Sequence, residues 1–250
     1  MAHFGIIGKT LQHSFSKIYF EKKFKDLNLE NYFYDKFEIL SINHFKDVLV
    51  NNPKLKGLNV TIPYKESIMP YLDELSPEAK EIGAVNCIKI ENTKLIGYNT
   101  DVYGFSQSIK PFLDTNHERA LILGTGGASK AVAYALKKVG VEVYFVTSSQ
   151  VKKTENTFFY SEINEMVMNA FKLVVNTSPV GTFPNVLESP SLPYQFFTPL
   201  HLAYDLVYNP EQTLFLKHAK EQGSIAVNGL SMLHLQAEKN WEIWTENPKA

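Results

Sequence analysis

The sequence predicts an α/β protein made of two open-sheet units, and three observations predict it. Short apolar runs that stop at glycine, such as Phe4–Gly8 and Leu121–Gly124, alternate with segments whose apolar residues recur every three or four positions. The alternation restarts near Val102. In the second half a Gly124-Thr125-Gly126-Gly127 turn joins a strand-like run to a helical one.

Taken in order, Phe4–Gly8 reads as a buried strand, and Ser16–Leu27 as a helix with Ile18, Phe20, Phe24 and Leu27 on its apolar side. Asn31–Leu40 is aromatic and β-branched enough for a second strand, and 42–50 for a second helix. Leu58–Ile62 is strand-like, and Pro63 suits the start of a following helix, expected over 66–75. Another helix is expected at Pro77–Ile82, then paired strands at Val85–Ile90 and Leu95–Ile96.

Beyond Val102, a helix is expected over 102–109, a strand at Leu121–Leu123, and a helix over 128–139 that Gly140 ends. Strands follow at Val141–Val146, Leu173–Val175, Ala203–Val207 and Ser224–Val227, with a helix over 211–222. The tail from Leu230 to Trp244 repeats apolar residues at helical spacing. Thr182–Pro199 holds prolines 184, 190, 193 and 199 and reads as a surface loop.

The 250 residues suit one large or two ordinary domains, and 44% hydrophobic content supports a sizeable core. With 25 Lys and Arg against 26 Asp and Glu, no basic field points to nucleic acid. Cys87 is the only cysteine, so an internal disulfide and a thiolate zinc cluster are excluded, and no metal is expected. A reducing compartment follows. The stretch Met1–Gly8 is too short for a signal peptide, and no apolar run nears the roughly 20 residues of a membrane span, so a cytoplasmic protein is expected.

Four constellations carry chemistry. A strand, Gly124-x-Gly126 and a helix N-terminus together point bare amides at one place, a phosphate site, although such a corner also serves structure alone and its third fingerprint position is Ser129. The next strand ends in Thr147-Ser148-Ser149 with Lys152 and Lys153 beyond. No acid stands there for the ribose hydroxyls of NAD, so the composition suits a 2′-phosphate better. In Asn59-Val60-Thr61-Ile62-Pro63-Tyr64-Lys65, a lysine just past a strand end is either a general acid or base or a solvated surface group. Asp101 either caps the helix behind it or takes part in a site. Ser14 and Ser16, in His13-Ser14-Phe15-Ser16, either cap a helix or bind a carboxylate beside its amides.

The joint order of these segments resembles the shikimate/quinate dehydrogenase family. The likeness runs through Gly8–Ser16, Asn59–Lys65, Gly83-Ala84-Val85-Asn86 and Asn99-Thr100-Asp101, then Leu123–Ser129, Asn176-Thr177-Ser178-Pro179-Val180-Gly181, Asp205–Pro210 and Gly229–Ala237, covering about Phe4 to Ala237. The resemblance implies an open-sheet substrate domain, 1–101 completed by 229–250, a Rossmann-type NADP domain, 102–228, and a cleft between them. It implies that Ser14 and Ser16 bind a carboxylate, that Lys65 and Asp101 form the catalytic pair, and that Thr61, Asn86 and Gln236 hold ring hydroxyls with Tyr208 close by. The cofactor is implied at Gly124, Thr125, Gly126, Gly127 and Ala128 for the pyrophosphate, at Ser148, Ser149, Lys152 and Lys153 for the ribose, and at Leu206 and Gly229 for the nicotinamide.

The activity implied is NADPH-linked reduction of 3-dehydroshikimate by a monomer or homodimer, with an NAD-linked quinate or shikimate dehydrogenase and a non-catalytic dinucleotide sensor as the alternatives. The chain departs from the family pattern at Thr10 and Lys17, where prolines are usual, at Phe15, at Cys87 in place of a common threonine, and at Ser149, where an arginine usually reads the 2′-phosphate.

Overall fold

The computed structural model describes residues 2–12 and 14–245, apart from the side chain of Lys152; His13 of the serine motif lies outside the described residues. The chain divides into two compact units. One runs to Thr100 and resumes at Ala237, and the other is Asp101–Gln236.

The first unit begins with β1 (Ala2–Gly8), α1 (Phe15–Asp26), β2 (Tyr32–Glu38), α2 (Phe45–Asn51) and β3 (Leu55–Val60). It continues through β4 (Glu74–Leu75), α3 (Pro77–Ile82), β5 (Cys87–Glu91) and β6 (Lys94–Tyr98). These strands make a six-stranded sheet in the order β2-β1-β3-β5-β6-β4. β1 runs parallel to both β2 and β3, while β5 is antiparallel to β3 and to β6. The chain therefore leaves β1 toward one side and returns on the other, a switch point at the C-terminal ends of β1 and β3.

On α1 the buried positions are Ser16, Phe20 and Phe24, one face at four-residue spacing. Ile18 and Leu27, expected on the apolar side, are exposed. Ile18 stands two residues from Phe20, roughly 200° around the helix. The helix expected over 66–75 is absent. Met69–Tyr71 forms one tight turn and Glu74–Leu75 pairs with β6. Pro70 explains the break, because it has no N–H and its ring meets the carbonyl of the preceding turn.

In the second unit the order is α4 (Asp101–Ile109), β7 (Arg119–Leu123), α5 (Gly127–Lys138), β8 (Glu142–Thr147), β9 (Thr157–Phe159), α6 (Glu165–Ala170), β10 (Leu173–Asn176), β11 (Leu202–Asp205), α7 (Leu214–Glu221) and β12 (Ile225–Val227). The last helix, α8 (Leu230–Thr245), ends in the first unit. All six strands of the second sheet are parallel, in the order β12-β11-β10-β7-β8-β9. This is the doubly wound Rossmann order, with its switch point between β7 and β10.

α7 starts at Leu214, later than the sequence pattern predicts, because the Thr213 hydroxyl accepts the Leu216 N–H and fixes the N-cap. The proline-rich loop is only partly a surface feature. Phe183 and Leu187 are exposed, but Leu192 and Phe197 are buried in the core with Leu121, Val174 and Phe215. Among the described residues no helix is long and apolar enough to cross a membrane, and no group of three or more His, Cys, Asp or Glu could hold a metal ion.

Candidate active site

In the first unit the register collects the predicted residues at one edge of the sheet. Ile7 pairs with Val60, Asn59 with Cys87, and Cys87 with Tyr98. The C-terminal ends of β1, β3 and β6 and the start of β5 therefore lie side by side. Ser14, Thr61, Lys65, Asn86 and Thr100 all follow or precede these ends.

Ser14 occupies the N-cap of α1, yet its hydroxyl makes no capping bond. Its Oγ is buried with no hydrogen-bond partner. A buried hydroxyl left alone costs about 1–3 kcal/mol, so the site fits an anion that the hydroxyl and the first amides of this 12-residue helix would share. Ser16 is buried and hydrogen-bonds the Tyr34 hydroxyl. From there a network runs inward. The Tyr34 hydroxyl donates to Asn59 Oδ1 at 2.6 Å, and Asn59 Nδ2 donates to the Asn86 carbonyl at 3.5 Å. Asn86 Oδ1 accepts the Thr100 N–H at 2.7 Å, and the Thr100 hydroxyl donates to Asn240 Oδ1 at 2.6 Å.

Lys65 ends a turn anchored on both sides. The Tyr64 hydroxyl donates to the Ile39 carbonyl at 2.5 Å, and the Lys65 carbonyl accepts the Val85 N–H at 2.7 Å. The residue is half-buried, and the backbone that carries it has little freedom. Thr61 is fixed by its N–H to the Ile7 carbonyl at 3.0 Å. Asn59, Tyr34 and Asn99 were missed as site-building residues. A partial signal was available for Asn59, a polar residue within a strand-like run, whereas Asn99 is marked only by the fold: it is 4% exposed with its amide donating to the Ala84 carbonyl at 2.9 Å.

In the second unit Asp101 is the first residue of α4, inside the helix and not before it, and it is 5% exposed. Gln236 is buried on α8, and Tyr208 is half-buried with its phenol pKa raised by burial.

The glycine corner sits at the switch point. Gly124 adopts φ +116°, a conformation that L side chains rarely take, and its N–H donates to the Val146 carbonyl at 2.9 Å. Gly126 caps α5, and nothing stands within 4 Å of where its Cβ would be. Ser129, at the third fingerprint position, is accommodated because its hydroxyl accepts the Gly126 N–H at 3.1 Å and pairs with the Thr177 hydroxyl at 2.7 Å.

Gly124, Thr125, Ser148 and Ser149 line a cleft of about 570 Å³ that also reaches Ser178 and Tyr160. Open space over Gly126, the first-turn amides of α5 and this cleft fit a dinucleotide's phosphates and adenosine. Lys153 lies on the same side but its ammonium is paired with Glu162; the Lys152 side chain lies outside the described residues. Leu206 and Gly229, expected together, do touch. A Cβ on Gly229 would stand 2.2 Å from the Leu206 carbonyl oxygen.

Asp205 was not singled out from sequence, although an acid ending an apolar strand marks it. It is fully buried, and its carboxylate accepts from Asn176 Nδ2 at 2.9 Å, the Val207 N–H at 3.0 Å and the Thr213 hydroxyl at 2.6 Å. It thereby shapes the loop that carries Leu206 and Tyr208. Burial raises its pKa from 3.8 to about 6.

Comparison with known proteins matches residues 6–88 to the shikimate dehydrogenase substrate binding domain. The NADP(+) shikimate dehydrogenase of Methanococcus aeolicus is 40% identical over 96% of this chain and 91% of its own length. Among solved structures, the shikimate 5-dehydrogenase of Listeria monocytogenes in complex with shikimate and NAD has a TM-score of 0.86 at 29% identity, covering 99% of this chain and 92% of that one. That of Thermus thermophilus in complex with NADP(H) and shikimate has a TM-score of 0.85 at 32% identity, covering 98% and 94%. With identity at this level across nearly the whole chain, and the same two-unit fold, the protein belongs to the shikimate dehydrogenase family.

Proposed function

We propose that this chain catalyses the reversible NADPH-linked reduction of 3-dehydroshikimate to shikimate, a step of aromatic amino acid biosynthesis. The observation that carries the reading is the buried, unpartnered Ser14 hydroxyl on the sheet edge that also bears Thr61, Lys65 and Asn86. That edge offers a small cyclic acid a place for its carboxylate, hydroxyl partners and an ammonium.

When bound, the nicotinamide supplies the hydride. The remaining work belongs to the chain. Ser14, Ser16 and the first amides of α1 take the carboxylate. Thr61, Asn86 and Gln236, with Tyr208 close by, receive the ring hydroxyls, and Thr100 holds the Asn86 amide in one orientation. Lys65 donates a proton to the carbonyl oxygen in the reductive direction and recovers it in the oxidative one. Asp101 is its partner in the pair and orients the ammonium. Gly124 to Ala128 take the pyrophosphate, Ser148, Ser149, Lys152 and Lys153 the ribose side, and Leu206 and Gly229 the nicotinamide end. The substrate domain spans 1–101 with 229–250, and the cofactor domain spans 102–228.

The proposal extends to a cytoplasmic monomer or homodimer without a nucleic-acid partner, supported by the lone buried Cys87 and a net charge of −1. The test is shikimate-dependent reduction of NADP, followed by the near-ultraviolet absorbance of the reduced nicotinamide, with quinate and NAD run in parallel. Faster turnover on quinate with NAD would replace this reading by its NAD-linked alternative. Dinucleotide binding without turnover on either acid would make the chain a sensor.

A further inference from the structure

Arg119 is the only arginine in the sequence. It begins β7 and bonds Glu142 at the start of β8 at 3.0 Å. The glycine corner and Ser148 lie at the opposite ends of those strands, about 13 Å away for four residue steps. No arginine can therefore fork onto a 2′-phosphate here. The described residues that line the cleft at that point, Thr147, Ser148, Ser149 and Tyr160, offer hydroxyls and no cation.

The described cation just beyond Ser149 is held by partners. β9 pairs with β8 so that Phe159 stands beside Thr147, which puts the end of β9 at the rim of the cleft. Lys153 lies over the Phe159 ring, 4.5 Å from its centroid, and its ammonium is paired with Glu162. The same Glu162 oxygen accepts the Phe159 N–H at 2.5 Å, so the carboxylate is itself fixed to β9. The carboxylate and the aromatic face compete with a phosphate for this exposed ammonium, a competition worth about fivefold in affinity.

We infer that Glu162 sets how strongly this chain prefers a 2′-phosphorylated dinucleotide. By holding the Lys153 ammonium at the rim, it leaves the 2′-phosphate mainly hydroxyl donors among the described residues and narrows the gap between NADP and NAD. A hydroxyl serves a ribose O–H nearly as well as a phosphate oxygen, whereas a cation distinguishes them. The inference rests on the proposed dinucleotide site and adds the residue that tunes it.

Binding to the ligand-free full chain tests it without turnover. Isothermal titration calorimetry is run with adenosine 2′,5′-bisphosphate and with 5′-AMP, which differ only in the 2′-phosphate. The wild type is expected to bind the bisphosphate no more than about tenfold more tightly. Glu162→Gln, nearly isosteric, is expected to raise bisphosphate affinity at least about fivefold and 5′-AMP affinity less than about twofold, and adding Lys153→Ala is expected to abolish the gain.

A wild-type preference above about a hundredfold, or an unchanged ratio in Glu162→Gln, overturns the inference while leaving the site in place. A gain that survives Lys153→Ala also overturns it, because Glu162 would then act only through its own negative charge. If neither nucleotide binds the wild type, the dinucleotide site itself is refuted and this inference falls with it.

Discussion

His201 carries a pH dependence of stability that can be worked out from its surroundings. The residue is fully buried just before β11. Its Nε2–H donates to the Met168 carbonyl at 2.9 Å, and Nδ1 accepts the Thr198 N–H at 3.0 Å. Both nitrogens are thus committed to the neutral ring. A proton on Nδ1 would face a backbone N–H that cannot reverse its role, leaving only the Thr198 hydroxyl, 2.9 Å away, to accept it. Burial, the largest influence, pushes the imidazole pKa from 6.5 down to about 4.

Because the folded value lies below the unfolded one, the unfolded chain binds more protons between these limits. The contribution is complete above about 6.5 and is lost as pH falls toward 4. Its size is roughly 3 kcal/mol, at 1.36 kcal/mol per pKa unit. Asp205 acts in the opposite sense: its folded value is raised to about 6, so its contribution is present at low pH and lost as pH rises through 6. The wild-type profile alone mixes the two, and a difference measurement isolates one. Urea unfolding of the wild type and His201→Gln at several pH values from 7 to 4 should show the wild type's advantage shrinking by about 3 kcal/mol across that range. A difference that stays constant with pH, or an imidazole titrating near 6.5 by NMR in the folded protein, would refute the reasoning.

Three further outcomes are expected. Lys65→Ala should lose at least about 10²-fold in turnover, the low end for proton transfer by a positioned side chain, and near-normal steady-state rates would remove Lys65 from the chemistry. Ser14→Ala should raise the Michaelis constant for shikimate and leave turnover nearly unchanged, whereas a fall in turnover alone would contradict a carboxylate-binding role. Gly229→Ala forces a Cβ to within 2.2 Å of the Leu206 carbonyl oxygen, so backbone must move and stability should drop by about 1–3 kcal/mol in urea unfolding; an unaffected midpoint would mean that this contact yields freely.

Much of the fold was legible because its signals are local. The strand ends at Gly8 and Leu123, the helix Pro77–Ile82 and the capped α5 all follow from short patterns that no distant contact overrides. Errors arose where a neighbour decided the outcome. The 66–75 segment has helical composition, but Pro70 breaks it and β6 recruits Glu74 and Leu75. β9 and α6 escaped notice because each is short, and their apolar residues pack on a core assembled from distant strands. In the candidate site, Ser14, Lys65 and the glycine corner were visible as residue types in order. Asn59 and Asp205 offered only the weak signal of a polar group in or at the end of a strand, and Asn99 none, because what distinguishes all three is burial among hydrogen-bond partners, as Asp205 shows with Thr213. The Glu162–Lys153 pair likewise depends on β9 lying beside β8.

The way α8 is used has a consequence for biogenesis. Trp244 lies against Gly57, where a Cβ would come within 2.3 Å of its indole nitrogen, and that nitrogen donates to the Ile88 carbonyl at 3.0 Å. Trp244 stacks on Phe4 at 4.9 Å between ring centroids, and Ala237 shares the same cluster. Thr100 waits for Asn240, 140 positions downstream. A ribosome making this chain therefore releases the Rossmann unit as an uninterrupted stretch able to fold as it emerges, while the unit begun first lacks a wall of its core until α8 arrives. Nascent chains stalled before Trp241 should leave that earlier half open to chaperones and proteases, so the later stretch governs the quality control of the earlier one.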